Sequence, residues 1–180
     1  WGSMSRENAQ TLWIMCSRDI LFWINTFCMT HDPRLANPVI PFNTYEFQDE
    51  VITRIEEAID TGNDFLVEKT RDMGGSWCCV IVFLHQFIFR DNRAFLMSSS
   101  KEDRVDKRGD PSSLMYKMDL VLKYMPGWLR PSVTRNKLAF RNEDNGSTID
   151  GESTTGDIGR GGRNTATLHD EFTQVVEDVK

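Results

Sequence analysis

A chain of 180 residues, 39% hydrophobic and 27% charged, has enough apolar material for one α/β domain with a real core. Its net charge of −6 excludes a protein that coats nucleic acid over its whole surface, and leaves room for a local basic patch. The longest apolar run, residues 77–89, is too short to cross a bilayer, and the start of the chain shows no signal-peptide pattern. Cys16, Cys28, Cys78 and Cys79 form no C-x-x-C pair, and His31, His85 and His169 are scattered. A zinc site is therefore not expected, and the thiols read as reduced.

In chain order, residues 1–4 read as the remnant of an expression tag, with Gly2 and Ser3 ahead of Met4. Residues 5–43 read as a helical extension and linker, and residues 44–180 as the core domain. Leu12, Trp13, Ile14, Met15, Ile20, Leu21, Phe22, Trp23, Ile24 and Phe27 predict one or two short buried helices over 10–29. Pro33, Pro38 and Pro41 predict an irregular connection over 31–44. Phe47, Val51, Ile52, Ile55 and Ile59 recur at helical spacing until Gly62, which suits a helix C-terminus. Residues 65–67 predict a buried strand, Gly74 and Gly75 a turn, and residues 76–90 a central helix apolar nearly all round. A second strand is expected at 93–98, a polar surface loop at 99–112, and an amphipathic helix over 114–124 stopped by Pro126 and Gly127. Residues 137–142 and 147–149 suit a hairpin around the turn at 143–146. Residues 151–163 read as a mobile glycine-rich loop, and 165–169 as a buried strand ending in Asp170 and Glu171.

The chemistry centres on Glu68-Lys69-Thr70-Arg71-Asp72-Met73-Gly74-Gly75-Ser76-Trp77. A strand, a glycine turn and then a helix is the layout of a phosphate-binding loop, whose standard form is G-x-x-x-x-G-K-[ST]. Here Gly75 stands where the lysine belongs, so the positive charge must come from Lys69 or Arg71 at the front of the turn. The same two cations also suit salt bridges to Glu68 or Asp72. Asp170 and Glu171 place two carboxylates at the C-terminal edge of a strand, where ligands bind in open α/β sheets. Asp170 suits a Mg²⁺ ion that keeps its waters, and Glu171 suits polarisation of an attacking water. A solvated strand end with an acidic cap fits them as well. Arg160 and Arg163 lie in a glycine-rich loop and can pair with phosphate bidentately. Gln48 carries an amide able to pair with a donor and an acceptor on an adenine edge.

These segments, 41–48, 68–77, 97–106, 159–163 and 168–171, resemble the ATPase domain of the large terminase subunit, the DNA-packaging motor of tailed bacteriophages. The resemblance implies a RecA-like P-loop ATPase fold, a mostly parallel sheet flanked by helices, with residues 5–43 as an N-terminal helical extension. It implies ATP and Mg²⁺ as cofactors, hydrolysis of ATP, and a nucleotide site built from Gln48 and residues 69–77. Within that site Lys69 and Arg71 resemble the displaced loop cations, and Ser76 and Asp170 the metal ligands. Glu171 resembles the catalytic base of a glutamate switch, and Arg160, then Arg163, a finger acting on a neighbouring subunit. It further implies double-stranded DNA, a portal protein and the small terminase subunit as partners. The working form would be a homo-oligomeric ring, docked on a procapsid in the host cytoplasm. Members of that family continue into a further strand and a nuclease domain, so residues 44–180 read as an ATPase core cut shortly after the acidic strand.

Two other classes fit the same motifs: a different P-loop enzyme of helicase type, and a nucleotide-binding assembly module without turnover. DNA contact is expected from Lys101, Arg104, Lys107 and Arg108, or from Arg130, Arg135, Lys137 and Arg141.

Overall fold

The computed structural model describes residues 4–68, 70, 73–153 and 163–171. Two N-terminal helices, α1 (Arg6–Arg18) and α2 (Ile20–Phe27), are separated by Asp19, whose side chain accepts from the Phe22 amide and caps α2. The expected irregular connection contains a small hairpin of β1 (Met29–His31) and β2 (Val39–Pro41). Its prolines are tolerated because Pro41 ends the second strand, where no further ladder donor is required. Helix α3 (Glu46–Thr61) ends at Gly62 in the left-handed conformation (φ 71°), as the periodicity predicts. Helix α4 (Gly75–Phe89) follows, and Val80 through Phe89 are all buried on it. It is the central helix that its continuous apolar composition requires.

Strand β3 (Ala94–Ser99) leads through the short α5 (Glu102–Val105) to α6 (Leu114–Tyr124). The chain then forms β4 (Val133–Asn136), β5 (Ala139–Asn142), β6 (Thr148–Ser153) and β7 (Ala166–His169). These five strands make one sheet in the order β4-β5-β6-β3-β7. β3 runs parallel to both β6 and β7, whereas β4-β5 and β5-β6 are antiparallel. The fold is therefore α/β with a mixed sheet, rather than the mostly parallel one expected. The antiparallel half arises from tight turns: Leu138 (φ 57°) closes β4 onto β5, and Gly146 (φ 73°) closes β5 onto β6. Phe95 of β3 meets Phe83 of α4 at 4.6 Å between ring centroids, and Phe140 of β5 meets Phe87 at 6.4 Å. Residues sharing the Phe95 face thus pack on α4.

Several expectations need correction. Residues 99–112, read as a loop, contain α5, and Trp13, Ile14 and Met15 of α1 are exposed rather than buried. Residues 65–67 form no strand: Phe65 is 41% and Leu66 81% exposed. A strand needs a ladder partner, and among the described residues none lies beside this segment. β7 is not buried throughout but alternates between half-buried and exposed, as an edge strand with one packed face does.

Candidate functional site

Gly74 adopts a left-handed backbone (φ 73°) that turns the chain into α4. A side chain there would also collide with Gln48, because a Cβ at Gly74 would lie 2.7 Å from Nε2. Among the described residues no side chain caps α4, and its first turn holds no acid, so the first-turn amides have no intrahelical acceptor. Such a helix end attracts anions through its amides and its dipole. Ser76 sits in this first turn. Its Oγ donates to Asp170 Oδ1 at 2.9 Å, across 94 residues of sequence. Asp170 is held at the end of β7, where its amide donates to Ser98 O at 2.9 Å. The glycine turn and the acidic strand end are therefore one place in the fold.

Glu171 extends this place with a strained backbone, φ 57° on a non-glycine residue. Its Oε1 accepts from Arg104 at 2.8 Å, and its buried Oε2 has no hydrogen-bond partner among the described residues. Arg104 was expected to meet DNA, and is engaged here instead. On the neighbouring strand ends, Ser98 Oγ lies 2.6 Å from His169 Nδ1.

Gln48 is buried at the start of α3. Its Oε1 accepts from the Tyr45 amide and its Nε2 donates to Met73 O, both at 3.1 Å. It ties α3 to the glycine turn, and a role at an adenine edge would require exchanging these partners. Beside it lies a small apolar cavity of about 70 Å³ lined by Phe47, Val51, Val67, Met73 and Cys78. A larger cavity of about 250 Å³, lined by Trp13, Phe89 and Trp128 among others, opens at the other end of α4, away from Ser76. Its distance from the paired hydroxyl and carboxylate argues against it as the place of chemistry.

Thr70 and Met73 are exposed, and Trp77 is half-buried against Phe42 at 5.7 Å. Arg163 is exposed just ahead of β7, whereas Asp170 lies just beyond its other end, so the fold does not bring the two together. Lys69, Arg71, Asp72 and Arg160 lie outside the described residues.

Sequence reasoning missed Lys117. Its ammonium is buried on α6, donates to the carbonyls of Pro111, Ser112 and Ser113 at 3.1–3.3 Å, and stands 5.8 Å from the Trp77 ring centroid. Burial pushes its pKa down to about 8, while the Asp170 and Asp110 carboxylates pull the other way. The signal was legible: Lys117 interrupts the buried stripe of Leu114, Met118 and Val121.

One hydroxyl and one carboxylate, with further buried oxygens lacking partners, suit a hard cation that keeps most of its waters. Among the described residues no cluster of three or more His, Cys, Asp or Glu forms a self-sufficient metal cage. No helix among them is long and apolar enough to cross a membrane. No protein-family model and no curated protein matches the chain.

Proposed function

We propose that this chain is a P-loop nucleoside triphosphatase that binds Mg²⁺-ATP between the N-terminus of α4 and the end of β7. The observation that carries the reading is the Ser76–Asp170 hydrogen bond at 2.9 Å, which joins the glycine turn to the acidic strand end. In this reading the first-turn amides of α4 cradle phosphate oxygens, and Lys69 and Arg71 supply the charge that Gly75 cannot. Ser76 and Asp170 hold Mg²⁺, which when bound neutralises charge on the phosphates. Glu171 orients and deprotonates the attacking water, and it must first leave Arg104. Within that class, the reading most consistent with the sequence motifs is the DNA-packaging ATPase of a terminase large subunit. Double-stranded DNA would be its translocated substrate, and Arg160 or Arg163 would act on a neighbour's ATP.

The test is steady-state ATP hydrolysis and ATP binding for wild type, Ser76→Ala, Arg71→Ala and Glu171→Gln. Loss of binding is expected for Arg71→Ala. Glu171→Gln should retain binding with kcat lowered about 10²–10⁴-fold. Full activity in all three variants rules the site out. The Arg104–Glu171 ion pair favours a second reading, a nucleotide-binding assembly module in which the base stays held. ATP binding by wild type with no hydrolysis would establish that alternative.

A further inference from the structure

Ser99 closes β3 with a side chain that the fold leaves unused. The residue is 0% exposed, and its buried Oγ has no hydrogen-bond partner among the described residues. A hydroxyl in that state destabilises the fold by its desolvation, which an alanine at the same position would avoid. Its direction follows from the strand. Phe95, Met97 and Ser99 share one face, and Phe95 meets Phe83 of α4 on that face. Ser98 points the other way, to His169. In the β3-β7 register Ser98 pairs with His169, so the next position sets Ser99 beside Asp170. The Asp170 amide bond to Ser98 O keeps the two chains together at that point. Asp170 also turns toward α4, since it accepts from Ser76. Three oxygen-bearing side chains therefore converge from α4, β3 and β7, and two of them already touch.

We propose that Ser99 is a positioning residue of the divalent-cation site formed by Ser76 and Asp170, holding a water bound to that cation by a hydrogen bond. This rests on the Mg²⁺-nucleotide reading above. A hard cation retains several waters, and outer partners that fix those waters tune its affinity. The orphaned Oγ supplies such a partner.

The experiment titrates the full chain with Mn²⁺ in the presence of saturating ATP, following loss of the free-ion EPR signal, for wild type, Ser99→Ala, Ser99→Thr and Ser76→Ala. Metal-free ATP affinity and thermal unfolding are measured alongside. Ser99→Ala is expected to weaken Mn²⁺ binding about 10–100-fold. It should leave metal-free ATP affinity unchanged and melt no lower than wild type, because no protein contact is lost. Ser99→Thr, which restores the hydroxyl, should recover Mn²⁺ affinity. Wild-type Mn²⁺ affinity in Ser99→Ala, with a loss in Ser76→Ala, overturns the role of Ser99 alone. Wild-type affinity in Ser76→Ala as well overturns the metal site itself.

Discussion

His85 shows how a single buried side chain carries a measurable consequence. It is fully enclosed on α4, between Trp23 at 5.3 Å and Phe89 at 4.9 Å. Its Nε2 lies 2.8 Å from Cys16 O, so the neutral ring donates there and ties α1 to the core. Its Nδ1 has no hydrogen-bond partner among the described residues and faces Glu56 Oε1 of α3 at 3.7 Å. Burial pushes the His85 pKa down to about 4, against the Cys16 carbonyl, with Arg90 also lowering it and Asp19 raising it. The unfolded chain protonates near 6.5, so between there and about 4 it binds more protons than the folded one. Stability therefore falls as pH drops through that window, by roughly 3 kcal/mol in full. Glu56 works oppositely, since burial, then Asp60, raise its pKa and its protonated form favours the folded state. Urea unfolding of Glu56→Gln from pH 7 to 4 isolates the histidine. Between pH 7 and 5, above the range where the shifted aspartates titrate, its slope with pH should flatten when His85→Gln is added.

At the scale of elements, α5 is the piece that joins the sheet to the site, because it carries Arg104 toward Glu171. Just past its end, Asp106 receives two bonds from Arg135 at 2.6 and 3.0 Å and one from the Leu138 amide at 2.6 Å. Burial opposes the charge on Asp106, but these donors outweigh it and hold its pKa below the usual value. The Arg135 guanidinium also lies 4.3 Å from the Phe140 ring centroid. Gly151 on β6 leaves room for α5, α6 and the β4-β5 turn to pack against the sheet. A Cβ there would stand 2.6 Å from Val105 Cγ1, 2.9 Å from Met115 Cε and 3.1 Å from Leu138 Cδ2. Gly151→Ala is expected to lower stability by about 1–3 kcal/mol in thermal or urea unfolding, the usual penalty of overpacking a closed core. The β5-β6 hairpin was legible from its turn residues, while β4 was not. Its burial alternates only weakly, and what makes it a strand is pairing with β5.

At the scale of the whole molecule, the expected DNA-binding stretches are largely neutralised within the protein. Arg104 pairs with Glu171, Lys107 with Asp103 and Asp110, Arg135 with Asp106 and Asp119, Lys137 with Glu102, and Arg141 with Asp150. Of those two stretches only Lys101, Arg108 and Arg130 are without an ion pair among the described residues. Duplex DNA binding by the isolated chain should therefore show a log K against log salt slope no steeper than about −3. Fluorescence anisotropy across salt concentrations checks this, and a slope near −6 would mean that the ion pairs open on binding. The sequence by itself determined α1 to α4 and α6, though not the short α5, as well as the glycine turn into α4 and the acidic end of β7, because helical periodicity, positive-φ glycines and strand-end acids are local signals. It also named Ser76, Asp170 and Glu171 as a set. Only the tertiary structure decided that residues 65–67 form no strand, that the sheet is mixed, and that Ser76 touches Asp170. It alone brought Arg104 to Glu171 and buried Lys117 and Ser99 near the same place. Strand pairing, burial and charge partners join residues far apart in the chain, and no local pattern encodes which of them meet.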